Sequence, residues 1–302
     1  MTILTLQLDW KPNAQFAGIL LAHHLDWYTA AGIDLNIVPG QMSMNPVDAL
    51  ASSENVIVSA DDNLIIRARA VGQPVKAIGA MLQYSTLGWL ALKSSGIKRM
   101  SDLRGKKLGV HTDGVIALDI ALTHFGMTRR DIEIVPLAYD YAQVLSSGQC
   151  DAIQGFIITE PIELEELGLK VEAMPAYEWS YQAYAQTLAT TERLIDTQPE
   201  ALAQFLQITF DGWRHVLAQP AEAVDIIITH YLPETQSKAE QRILEAMRPF
   251  LVGQVGLNKL GWMERGRWER SISYLVDYHI IDKRLSAEEV MTNHLIESIY
   301  NR

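Results

Sequence analysis

Ile3-Leu4-Thr5-Leu6-Gln7-Leu8-Asp9-Trp10-Lys11-Pro12-Asn13 stands at the start of the chain, and its reading decides the fold. Apolar residues alternate from Ile3 to Leu8, which is the period of a β-strand. Strands of this kind usually close on small turn residues. This one closes on an indole flanked by the Asp9 carboxylate and the Asn13 amide, with Pro12 stiffening the turn. A helical pattern then runs from Gln15 through Phe16, Ile19, Leu20, Ala22 and His23 to Tyr28. Gly32 stops it, and Ile33 to Val38 reads as a second strand. Strand, helix, strand predicts an α/β sheet, whose ligands bind beyond the carboxyl ends of the strands. Trp10 and Asn13 fall at that position. A flat aromatic face beside a directional hydrogen-bonding group suits a planar, polar heterocycle. The same two residues serve equally well as a core plug and a helix N-cap.

The pattern continues along the chain. Gly40 to Asn45 reads as a loop, Pro46 to Ser52 as a short helix and Val56 to Ser59 as a buried strand. A helix through Ile65, Ile66 and Ala70 is broken by Gly72-Gln73-Pro74. Val75 to Leu82, Leu87 to Leu92 and Lys107 to Val110 follow as strands, and Val115 to Phe125 as a helix. Ile132 to Val135, Ala152 to Gly155, Leu169 to Glu172 and Tyr184 to Thr190 are further extended pieces. Helices fill the remainder. Pro199 to Leu217 carries an apolar face at helical spacing, and Ser286-Ala287-Glu288-Glu289 predicts a capping box opening the last helix.

Composition agrees with a globular protein. The 302 residues suffice for two lobes of ordinary domain size, and 48% hydrophobic residues support a substantial core. The net charge of -11 is spread along the chain, which argues against nucleic acid, because phosphate contacts need clustered Lys and Arg. Arg104, Lys106 and Lys107 form the nearest approach to such a cluster and read as a solvated edge. Cys150 is the sole cysteine, so no intrachain disulfide forms, and its apolar setting predicts a packed thiol. No run approaches the ~20 apolar residues of a membrane helix. Residues 1–8 read as a core strand, which leaves no visible signal peptide. The expected location is therefore periplasmic or extracellular if a leader has been removed, and cytoplasmic otherwise.

Asp9-Trp10-Lys11-Pro12-Asn13-Ala14-Gln15-Phe16-Ala17-Gly18, Trp27-Tyr28 and Ala31-Gly32-Ile33-Asp34-Leu35 resemble the opening of the thiamine-pyrimidine-synthase-like family. The resemblance continues through Asn45-Pro46-Val47-Asp48-Ala49-Leu50, through Asp102 to Val110 and through Gly148-Gln149-Cys150-Asp151-Ala152, as far as about residue 230. That family holds solute-binding proteins of ABC importers and the fungal-type pyrimidine synthase of thiamine biosynthesis. The resemblance implies the two-lobed α/β plan of a type II periplasmic-binding-protein fold, with crossings near Leu87–Leu92 and Tyr184–Ala189 and a helical C-terminal segment. Lobe one is then residues 1–88 plus 188–302 and lobe two residues 89–187, with a ligand cleft between them.

Candidate ligand-binding residues follow the strands. In lobe one they are Trp10, Asn13, Gln41 and Asp62. Asp62 is placed to accept hydrogen bonds from an aminopyrimidine-like edge, or to cap a helix beginning at Asn63. Ser85 follows the strand before the first crossing, where it either touches ligand or satisfies hinge backbone. In lobe two, Thr112, Asp113 and Gly114 lie between a strand and a helix, as a helix cap or as a ligand contact. Gly114 lets the backbone approach closely. Tyr139, Phe156 and Glu160 follow later strands. Glu178 lies in Tyr177-Glu178-Trp179-Ser180-Tyr181-Gln182-Ala183-Tyr184, a run that reads as a lid over the cleft or as aromatic packing at a hinge.

Two features separate binding from synthesis. The resemblance implies that the synthase carries a cysteine-rich motif in lobe two and an active-site histidine after an early strand of lobe one. Here Ser180 to Ala185 holds no cysteine, and Ser59 to Ile65 holds no histidine. None of the eight histidines forms a metal-binding pair, since the adjacent His23 and His24 point to different sides of a helix. The expectation is a non-enzymatic solute-binding protein with no cofactor and no metal. Its ligand is a planar heterocycle, a thiamine-precursor pyrimidine first and riboflavin or another aromatic vitamin next, and its partner is an ABC permease. A ligand-sensing module of a signalling protein is the second reading, and a pyrimidine-synthase-like enzyme the third.

Overall fold

Leu4, Leu6 and Leu8 are fully buried while Ile3 is exposed, so the alternation at the start of the chain is that of a strand with one face in the core. A computed structural model of the protein describes residues 1–41, 44–111, 114–137, 140–232 and 237–301. The chain divides into two units, Met1–Tyr84 with Ala183–Arg302, and Ser85–Gln182.

The first unit begins β1 (Thr2–Gln7), α1 (Ala17–His24), α2 (Trp27–Ala30), β2 (Ile33–Val38), β3 (Val56–Ala60), α3 (Asp62–Ala70) and β4 (Val75–Leu82). The single helix expected from Gln15 to Tyr28 is instead a 3-10 turn at Ala14–Phe16 followed by α1 and α2. Asp26 takes a left-handed φ of 58° between them, which a continuous helix does not allow. The second unit holds β5 (Leu87–Leu92), β6 (Lys107–Val110), α4 (Val115–His124), β7 (Glu133–Pro136), α5 (Tyr141–Ser146), β8 (Ala152–Phe156), α6 (Glu160–Glu166) and β9 (Val171–Pro175). The chain then returns to the first unit through β10 (Ala185–Thr191). Helices α7 (Glu192–Thr197), α8 (Pro199–Ala218), α9 (Pro220–His230), α10 (Ser237–Val252), α11 (Arg265–Asp277), α12 (Ala287–Val290) and α13 (His294–Tyr300) complete it.

Each unit is built on a five-stranded mixed sheet, ordered β2-β1-β3-β10-β4 in the first and β7-β6-β8-β5-β9 in the second. The strand that enters each unit from the other, β5 or β10, runs antiparallel to both of its neighbours. The remaining pairings, β1 with β2 and β3 and β6 with β7 and β8, are parallel. One edge of each sheet therefore collects the loops after the parallel strands together with the start of the incoming strand. Ala185 opposes Leu82 at that edge of the first sheet, and Leu87 opposes Phe156 at that edge of the second.

The C-terminal helices follow the predicted pattern. In α8, Leu202, Phe205, Leu206, Thr209, Phe210, Trp213 and Val216 are buried at three- and four-residue intervals. The capping box at Ser286 forms, with the Ser286 N–H donating to Glu289 Oε2 at 2.8 Å, but it opens the four-residue α12 and not the last helix, which is α13. Cys150 is 2% exposed and packs with Leu90, Val144, Leu145, Ile153 and Leu164. Among the described residues, no helix is long and apolar enough to cross a membrane.

Candidate functional site

In the first unit the junction after β1 is shaped by Gly40. A Cβ on Gly40 would lie 2.5 Å from the Asp9 carbonyl carbon and from the Trp10 nitrogen, so only glycine lets the two chain segments touch. The Gly40 N–H donates to the Trp10 carbonyl at 2.9 Å and ties the turn down. Trp10 sits on this turn 38% exposed, so its indole is not a core plug. Asn13 is the N-cap of the 3-10 turn, and its Oδ1 accepts the Gln15 N–H at 2.9 Å. The cap uses one lone pair of that oxygen, and the Nδ2 group carries two further donor hydrogens. Gln41 is exposed in the loop after β2.

Asp9 itself, the carboxylate of the opening motif, is a group the residue-by-residue reading passed over. Its Oδ1 accepts from the buried Ser59 hydroxyl at 2.8 Å, and burial pushes its pKa up to about 6 against the lowering effect of that hydrogen bond. A carboxylate followed two strands later by a serine inside a buried strand was the available signal.

Asp62 does not cap a helix beginning at Asn63. The helix begins at Asp62, with Asp61 as its N-cap residue. Asp62 is 1% exposed, and its Oδ2 accepts from the Tyr184 N–H at 3.1 Å and the Ser271 hydroxyl at 2.7 Å. Burial raises its pKa to about 6, while those hydrogen bonds and the Arg267 charge oppose the rise. Arg267 donates to the Gln83 carbonyl and lies over the Tyr184 ring at 3.9 Å and the Tyr84 ring at 4.8 Å. Asp62 and Arg267 thus hold the chain where it leaves and re-enters this unit.

In the second unit, Ser85 accepts the Leu87 N–H at 3.3 Å and so satisfies backbone at the start of β5. Thr112, Asp113 and Tyr139 lie outside the described residues. Gly114 is pressed against Gln154, whose Oε1 would stand 2.0 Å from an added Cβ and accepts the His111 N–H at 3.0 Å. His111 Nε2 in turn meets the Tyr141 hydroxyl at 2.9 Å. Phe156 closes β8 with 47% of its surface exposed.

Glu160 follows four residues later, 6% exposed at the head of α6, with Oε2 buried and without a hydrogen-bond partner. Burial lifts its pKa to about 8, hydrogen bonds from the Glu160 and Phe156 backbone oppose this, and the Glu163 charge adds to it. At neutral pH the group is an uncharged acid, an O–H donor rather than an anion.

Glu178 is exposed on the 3-10 turn Ala176–Trp179. Its neighbour Trp179 stacks on Trp89, with centroids 6.0 Å apart and planes 9° from parallel, and meets Phe125 edge-on at 5.2 Å. That part of the aromatic run is packing within the second unit.

Gathered by sheet edge, Trp10, Asn13 and Gln41 belong to one group and Ser85, Gly114, Phe156, Glu160 and Glu178 to another, each beyond the carboxyl ends of its unit's parallel strands.

Comparisons with known proteins agree with this architecture. The chain is 24% identical over 97% of its length to the riboflavin-binding protein RibY of Chloroflexus aurantiacus, of which it covers 86%. It is 25% identical over 97% of its length to a 4-amino-5-hydroxymethyl-2-methylpyrimidine phosphate synthase of Legionella pneumophila, covering 92% of that protein. A formylaminopyrimidine-binding protein of Halalkalibacterium halodurans is 21% identical over 95% of the chain and 88% of its own length. In fold, the periplasmic aliphatic sulphonate binding protein SsuA of Escherichia coli superposes with a TM-score of 0.75 at 14% identity, over 96% of this chain and 91% of that one. The α/β plan expected from the sequence is thus that of the periplasmic binding proteins. Residues 13–223 match the family described as NMT1/THI5 like, and to that family the chain belongs.

Proposed function

We propose that this chain is a solute-binding protein that captures a small planar heterocycle, a thiamine-precursor aminopyrimidine first and a flavin-like ring next. Delivery to an ABC permease completes the reading. The observation that carries it is Trp10. A large indole left more than one-third exposed at the end of a buried strand, on a turn that Gly40 holds by direct backbone contact, is a stacking surface maintained against the hydrophobic effect. Asn13 stands three residues away with two amide hydrogens to give. In the second unit, Phe156 adds an exposed ring and Glu160 a neutral acid at the corresponding sheet edge. Gly114, pressed against Gln154 after β6, belongs to the same group in this reading.

A relative named for riboflavin binding and another for formylaminopyrimidine binding support the ring class. The relative named as a synthase shares the framework. The present chain has no histidine from Ser59 to Ile65, and its sole cysteine is locked in a core. We therefore read it as a binder and not as an enzyme.

Calorimetric titration of the purified protein against a panel of aminopyrimidines and flavins tests the proposal. One member is expected to bind saturably at one site per chain with a micromolar or tighter Kd. Absence of heat and of thermal stabilisation across the whole panel would reject it.

A further inference from the structure

Gln186 is the second residue of β10, and it adopts φ +47°. The other described non-glycine residues with positive φ, Asp26, Ser180 and His279, lie at helix or turn ends. Gln186 lies inside a strand and is 3% exposed. Glycine takes this backbone conformation without strain, so a glutamine held there is retained for its side chain. That side chain is half used. Its Nε2 donates to Gln15 Oε1 at 3.1 Å, whereas its Oε1 is buried and has no hydrogen-bond partner. A dry, unpaired amide oxygen destabilises the fold, as does the strain, and the two costs fall on one residue.

Its position gives the expense a purpose. Gln15 is held by Asn13, whose Oδ1 accepts the Gln15 N–H. The amide of Gln186 is therefore the far end of a relay that begins at the Trp10–Asn13 turn. Ala185, beside it, pairs with Leu82 at the sheet edge where the candidate residues of this unit gather.

We propose that Gln186 is a specificity-determining residue: its buried, unpartnered Oε1 accepts an N–H from the ligand while its Nε2 stays on Gln15 Oε1. The chemical class this selects is a heterocycle with an exocyclic amine or ring N–H, against an isosteric ring lacking one. The inference rests on the binding role proposed above and assigns the selectivity within it.

The test compares two probes, 4-amino-2-methylpyrimidine and its isostere 2,4-dimethylpyrimidine, on the wild-type protein and on Gln186→Gly. A site built around a buried acceptor rejects the analogue without the donor, so the wild type should prefer the amine by at least ~10-fold. Gln186→Gly should lose that preference to within about two-fold while its Tm stays level or rises, because glycine suits the backbone. Gln186→Met, of similar length and without an amide, should lose the preference in the same way and guards against a folding defect peculiar to glycine. A variant that keeps the preference, or a wild type that binds both probes equally, overturns the assignment and leaves the binding role intact. A wild type that binds neither probe, nor any member of the heterocycle panel, overturns the binding role itself.

Discussion

Burial holds Glu160 well above the ordinary carboxylate range, and its pH behaviour follows from linkage. The folded group holds its proton up to about pH 8, whereas the unfolded group releases it near the ordinary glutamate value of 4.5. Between those values the folded state binds the extra proton, so its stability falls as pH rises and the loss is complete above about 8. Glu160→Gln removes this dependence. Melting curves at pH 5 and pH 9 should show the variant gaining on the wild type at the higher pH, and parallel curves would refute the assignment. Asp9 and Asp62 act in the same sense between 3.8 and about 6. Glu160 was legible in the sequence as a residue following a strand, because strand ends are readable from hydrophobic period. Gln186 was not, because neither a left-handed φ nor an orphaned oxygen leaves a mark on residue type. Asn13 shows a third case, in which the cap uses Oδ1 and the proposed ligand contact uses Nδ2 of the same side chain.

At the scale of elements, the β1 junction and helix α11 carry the sharpest consequences. Gly40→Ala forces a Cβ into the Asp9–Trp10 backbone, where no flexible side chain can yield, so the turn must shift. Ligand affinity should fall about 10-fold or more, since a displaced aromatic loses its stacking contact. Calorimetry on the variant reads this directly. In α11, Arg267 grips the Gln83 carbonyl and the rings of Tyr84 and Tyr184. Arg267→Met leaves a buried carbonyl without its donor, and denaturant unfolding should show a loss of about 1–3 kcal/mol. Strands and long helices were readable because their periods are written into β1 and α8. The chain passages were not placed so well by pattern. Leu87 to Leu92 reads as a buried strand wherever it pairs, and only the ladder with β8 and β9 puts it inside the second sheet.

For the whole molecule, the antiparallel entry of β5 and β10 into otherwise parallel sheets explains why candidate side chains gather at one edge of each unit. That gathering is a property of topology, which strand order supplies and composition does not. A ligand that binds only the folded protein must raise its stability, by about 2.7 kcal/mol at one hundred times Kd, and this provides an independent reading of affinity by thermal shift. The central claim remains that the Trp10 indole stacks on the ligand. Titration of wild type and Trp10→Ala with the tightest-binding heterocycle of the panel tests it most directly, with Tm as the control for folding. The variant should keep its Tm within a few degrees and lose at least ~1 kcal/mol of binding, roughly five-fold in Kd. Equal affinities in the two proteins would contradict the account.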